Sequence, residues 1–152
     1  MLNNAEKAEV LRLGMIVGHF ETQDAINWAD LVIASEDKPA NAILEVSMAG
    51  DVGSAKMVSL LKDAAGEQGP GKPRDVFFGI LAKKLAAAPS AGLAEEIANQ
   101  LKTLRSAYDA PDAAMNKAGN LAGPFGGDPE AATKDVRAFL SEYERFGDSW
   151  SL

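Results

Sequence analysis

Apolar residues in this chain recur at spacings of three and four from end to end, and no run alternates apolar with polar long enough to make a strand. That pattern leaves one architecture: helices with one apolar stripe each, packed on one another. Abundant alanine and short β-branched runs point the same way. The predicted fold is all-α, a single-domain bundle of about seven to eight helices spanning residues 1–152. A chain of 152 residues is long enough to bury roughly 70% of its unfolded surface in one domain. No internal repeat is visible.

Turn and cap residues place the helices. The first is predicted over about 5–17, with Val10, Leu11, Leu13 (or Gly14) and Val17 in its stripe and Gly18 ending it. Thr22 is the expected N-cap of a second over 23–35, with Ile26, Ala29, Val32 and Ile33 inward and Trp28 at the border. A short helix follows Pro39. Another runs over 52–65, with Asp51 as its cap. Further helices are expected over 75–88, 92–108 (capped by Ser90), 111–118, and from Pro129 onward with Asp128 as cap. Glycines and prolines dominate Gly119 to Asp128, the loosest segment. Within it Phe125 is either a lid or a residue tucked inward to hold the loop. Trp150 in the tail is expected to fold back and pack.

The chain has no cysteine, which excludes disulfides, thiolate chemistry and cysteine-ligated metal. The start MLNNAEKAEV lacks the basic and apolar regions of a signal peptide, and no apolar run approaches the ~20 residues of a membrane span. A cytoplasmic location and no membrane contact are expected. A pI near 4.7 argues against nucleic acid, whose affinity depends on phosphate neutralisation.

Motif candidates are few. Gly66 to Pro73 reads GEQGPGKP and matches the first part of a phosphate-binding loop. Pro73 stands where a magnesium-binding hydroxyl is needed, and the preceding stretch is helical rather than a strand. An interhelical linker with no bound nucleotide is the expectation. His19 is the one histidine, in GHFET two residues before Glu21. It is either one half of a histidine–carboxylate pair or a residue that ends a helix. Glu95–Glu96 and Glu142/Glu144 lie among lysines and arginines and read as surface. No catalytic residue, cofactor or metal site is expected.

Charge is the distinctive feature. Residues 13–55 carry seven acids (Glu21, Asp24, Asp30, Glu36, Asp37, Glu45 and Asp51) against one base, Lys38, in a chain whose total is −7. Asp30 and Asp37 share a helix face but are roughly 10 Å apart, too far to chelate one ion. The plain reading is a solvated face. The functional one is an acidic docking surface made by Glu21, Asp24, Asp30, Glu36 and Asp37, with Trp28 as contact anchor if it is exposed.

The stretch LGMIVGHFETQDAINWADLVIASEDKPANAILEVSMAG, Leu13 to Gly50, resembles the N-terminal part of small bacterial helical proteins. It shares their leucine–glycine helix end, the core DAINWAD and a proline-started helix ending near LEVSMA. The resemblance covers about a quarter of the chain and implies a small acidic partner protein, such as an immunity protein that neutralises a toxin. It transfers no catalytic residue. The expected function is therefore non-enzymatic protein binding, immunity- or antitoxin-like, toward a partner with a basic surface. The alternatives are a structural or regulatory homo-oligomer and an enzyme centred on His19.

Overall fold

Eight α-helices and two short 3₁₀ segments, with no strand, make up the described residues of the computed structural model, which are 1–68 and 71–151. The all-α expectation is met. The helices are α1 (Asn4–Ile16), α2 (Thr22–Ser35), α3 (Asn41–Ser47), α4 (Ser54–Ala65), α5 (Lys72–Ala87), α6 (Ala91–Ser106), α7 (Ala113–Gly119) and α8 (Pro129–Ser141). The 3₁₀ segments are Gly123–Gly126 and Glu144–Ser149.

Caps explain the boundaries. Asn3 and Glu6 close a reciprocal box at the start of α1: the Glu6 N–H donates to Asn3 Oδ1 (2.8 Å) and the Asn3 N–H to Glu6 Oε1 (3.0 Å). At its other end Gly18 takes φ 78°, the left-handed conformation that suits glycine. Glu21, not Thr22, is the N-cap of α2, because Asp24 Oδ2 accepts from the Glu21 N–H (2.8 Å). Asp51 does not cap α4; Gly53 does, and Asp51 is exposed. Ser90 caps α6 and Asp128 caps α8 as expected, the latter accepting from the N–H groups of Glu130 and Ala131. Helix α5 begins a turn earlier than its apolar pattern implies, with Pro73 in the first turn, where its missing N–H costs nothing.

The chain gathers into two compact units: residues 1–74 with the tail from Trp150, and residues 75–149. In the first, α1 packs on α4 and α2, and α3 packs on α2 and α4. Its core holds Leu11, Trp28, Val32, Ile43, Val46, Met57 and Leu61, among others. Trp150 folds back onto it, its ring 5.5 Å from that of Phe20. In the second unit α6 packs on α7 and α8, and the 3₁₀ segment Gly123–Gly126 packs on α8. Phe125 is 7% exposed, so the loop is packed down rather than open as a lid.

The two units share an order of helix lengths but not all of their packing, since α3 packs on α4 while no such pairing of α7 with α8 is seen among the described residues. Each is a long helix, a second long helix, a seven-residue helix and a helix of 12 or 13 residues. Some of their buried positions also correspond, although Leu60, Leu104 and Phe139 have no buried counterpart. Ala25, Trp28, Ala29 and Val32 of α2 match Ala94, Ile97, Ala98 and Leu101 of α6. Ile43 and Val46 of α3 match Met115 and Ala118 of α7. Met57, Leu61 and Ala65 of α4 match Ala132, Val136 and Leu140 of α8. Gly14 of α1 and Gly79 of α5 are both buried at points of close approach.

Those two glycines give a test of sign. A methyl on Gly79 would fall within 3.0 Å of the backbone of Gly147 and Tyr143; the nearest atoms to one on Gly14 belong to the Phe20 ring. Backbone cannot step aside as a ring can. Alanine in an open helix position is better than glycine by about 0.5–1 kcal/mol. Gly79→Ala is nevertheless expected to destabilise by ~1–3 kcal/mol or more, and Gly14→Ala by less. Urea denaturation of the two variants measures both. A stabilised Gly79→Ala would show that the α5 approach is looser than this geometry.

Candidate functional site

The seven acids between residues 13 and 55 lie on α2, on α3 and in the connections beside them. Helix α2 turns Ala25, Trp28, Ala29 and Val32 into the core, which leaves Gln23, Asn27, Asp30, Leu31 and Ala34 outward. Gln23 Nε2 donates to Asn27 Oδ1 (2.8 Å), an i,i+4 pair on that outer face.

The acids hold local structure as well as charge. Asp24 secures the first turn of α2 through the Glu21 N–H. Asp30 Oδ1 accepts from the Ser47 hydroxyl, tying α2 to the end of α3. Glu36 Oε1 accepts from Asn4 Nδ2 (2.7 Å) and fixes the end of α2 to the start of α1. All three donors are neutral groups, so they orient the carboxylates without cancelling their charge. Among the described residues no lysine or arginine pairs with any of the seven acids; bases of this unit pair elsewhere, as in Arg12–Glu9 and Lys72–Glu6. Glu21, Asp30, Glu36, Asp37, Glu45 and Asp51 are exposed, and Asp24 is half-buried.

Trp28 requires a correction. It is 1% exposed and belongs to the core of the first unit, so it cannot be a contact anchor. Ala25 and Ala29 flank it on the same stripe and are fully buried, leaving room for the indole between helices. Large apolar side chains of α2 and the end of α3 that do reach solvent are Leu31 at 53% and Met48 at 77%. Leu31 follows Asp30 and Met48 follows Ser47, so each is next in the chain to a member of the bonded pair joining α2 to α3. The pattern gave no sign of this pair, because exposure of a lone leucine or methionine depends on packing that composition does not encode.

Elsewhere, His19 is half-buried with its ring edge-on to Phe20 at 4.7 Å, and its backbone N–H donates to Gly14 O (2.7 Å), which closes α1. Phe20 in turn fills the notch left by Gly14. In the stretch 66–73, Gly69 and Pro70 lie outside the described residues. The part before them follows a helix, not a strand, and Lys72 Nζ donates to Met1 O (2.9 Å) beside Glu6. Glu95, Glu96, Glu142 and Glu144 are all exposed. Among the described residues no three His, Cys, Asp or Glu side chains converge as metal ligands, and no helix is long and apolar enough to cross a membrane.

No protein-family model, curated protein or solved structure matches this chain.

Proposed function

We propose that this chain is a protein-binding module, non-enzymatic, whose acidic first unit docks a partner with a basic surface. The observation that carries this reading is the comparison between the two units. Asp30 and Glu45 of the first correspond to Asn99 and Lys117 of the second. Those two positions carry no acid in the second unit, although α6 has Glu95 and Glu96 elsewhere on its surface, so a helix pair of this length does not demand Asp30 or Glu45. A concentrated field of one sign with no cationic partners raises encounter rates with an oppositely charged protein, and it is screened within about 8–10 Å at physiological salt. An immunity- or antitoxin-like role is one form of this activity.

The geometry decides which acids test it. Asp24 and Asp30 are poor choices, since reversing them also removes a helix cap and the link to Ser47. Asp37, Glu45 and Asp51 are exposed and outside those contacts. The combined variant Asp37→Lys, Glu45→Lys, Asp51→Lys is expected to keep the wild-type circular dichroism spectrum. It should also lose, by about tenfold or more at low salt, the association rate of a basic partner. Parallel affinity capture with wild type and variant, eluted over a salt gradient, finds that partner. A basic protein held by wild type alone and released by moderate salt is the expected result. Identical recovery by both would return these acids to solubility.

A further inference from the structure

We infer that the cleft between α5 and α8 in the second unit binds a short aliphatic zwitterion, a small molecule with a carboxylate at one end of a methylene chain and an ammonium at the other. The inference goes beyond the acidic surface of the first unit and does not depend on it. The floor of the cleft is apolar: Ala82 and Leu85 of α5 and Leu140 of α8 are buried, and Ala86 lines it from an exposed position. Its volume is about 120 Å³. That is about four water volumes at ~30 Å³ each, room for a chain of about four or five methylenes. The walls are held in place. Gly79 of α5 closely approaches the backbone of Tyr143 and Gly147, and Lys83 of α5 pairs with Asp148.

A further cavity adjoins each end of the cleft. Arg137 lines both the cleft and the cavity that reaches Pro89 and Lys134. Ser141 and Glu144 line both the cleft and the cavity that reaches Lys83 and Asp148. The apolar slot therefore has a cation at one junction and a carboxylate at the other. Among the described residues neither Arg137 nor Glu144 has an ion-pair partner. Lys134 adds to the positive junction, against the single acid Glu130. At the negative junction Asp148 neutralises Lys83, and the Arg145 guanidinium lies 5.0 Å from the centre of the Phe146 ring. The Ser141 hydroxyl donates to Ala138 O (2.8 Å), which leaves its oxygen an acceptor beside Glu144. Unlike charges that flank an apolar slot without pairing are complemented by a ligand that carries the reverse pair. A fatty acid would leave Glu144 without a partner, and an alkylamine would leave Arg137 without one. A zwitterion serves both.

The test titrates the full ¹⁵N-labelled chain with 6-aminohexanoate, hexanoate and hexylamine. Wild type is expected to bind 6-aminohexanoate saturably, with a dissociation constant on the order of 1 mM. Its amide shifts should centre on residues 82–86 and 137–144, and both single-charge probes should bind about fivefold or more weakly. Arg137 and Glu144 are exposed, so neutralising either should spare the fold. Arg137→Gln is expected to abolish the advantage of 6-aminohexanoate over hexylamine. Glu144→Gln should abolish its advantage over hexanoate. Ala86→Leu, which fills the slot and keeps both charges, should weaken all three probes. Equal binding of the three probes by wild type would overturn the inference, as would shifts centred elsewhere or 6-aminohexanoate affinity unchanged in both charge variants. No saturable shift with 6-aminohexanoate would overturn it too.

Discussion

Trp28→Ala is expected to destabilise the first unit by about 3–5 kcal/mol, the range for emptying a large aromatic from a core. The side chain is buried among Ala25, Ala29 and Val32 on its own helix and belongs to the same cluster as Leu11, Ile43 and Leu61. Those neighbours are held by helices that meet on several sides, so the hole can close only in part. A second substitution separates volume from chemistry. The Trp28 indole Nε1 is buried and has no hydrogen-bond partner among the described residues. A buried donor left unsatisfied costs roughly 1–3 kcal/mol. Trp28→Phe loses part of the ring volume but also removes that donor, so its net cost should be small beside that of Trp28→Ala. Urea denaturation followed by far-UV circular dichroism reads both variants, with Trp150 still available as a fluorophore. Wild-type stability in Trp28→Ala, joined to lost partner binding, would return the tryptophan to the surface.

The misplacement of Trp28 shows where sequence pattern stops. Ranking by hydrophobicity centres the α2 stripe on Ile26 and Ile33, which are only half-buried. The real stripe runs through two alanines, whose small side chains contribute little to such a ranking but let the indole in. Positions whose signal is local were legible from the residues: Gly18 ending α1, and Ser90 and Asp128 capping α6 and α8. Asp51 and Thr22 failed as caps because a good capping residue is common and only backbone geometry decides which one is used.

The likeness of the two units was hidden for a different reason. The shift between matching positions is 65 residues at Gly14 and Gly79, 69 at Trp28 and Ile97, 72 at Ile43 and Met115, and 75 at Met57 and Ala132. A search for a fixed period fails when helix and connection lengths both differ between the units. What the units share is the location of some of the burial, filled by different side chains. That same difference in side chains is what isolates the acidic face. Asp30, Leu31, Glu45 and Met48 of the first unit stand where the second has Asn99, Gln100, Lys117 and Asn120.

The second large effect is expected from Phe139→Ala, which should cost the second unit about 3–5 kcal/mol. Phe139 is 4% exposed on α8 and lies 5.5 Å from the Phe78 ring and 5.4 Å from Tyr143; Phe78 and Tyr143 themselves meet edge-on at 5.0 Å. Three rings in mutual contact contribute through edge-to-face attraction as well as buried area, at roughly 0.5–1.5 kcal/mol per pair. Alanine removes two of the three contacts and leaves Phe78 and Tyr143 facing a void. Lys117, whose ammonium lies 5.9 Å from the Phe139 ring centre, loses a weaker contact. Phe139→Leu keeps most of the apolar volume and should cost clearly less, which separates volume from ring geometry. Both tryptophans belong to the first unit, so tryptophan fluorescence reports that unit, while circular dichroism reports the helices of both. The circular dichroism midpoint in urea should therefore fall for Phe139→Ala. A midpoint equal to wild type would mean that α8 does not present Val136, Phe139 and Leu140 to the core, and the correspondence drawn between α4 and α8 would go with it.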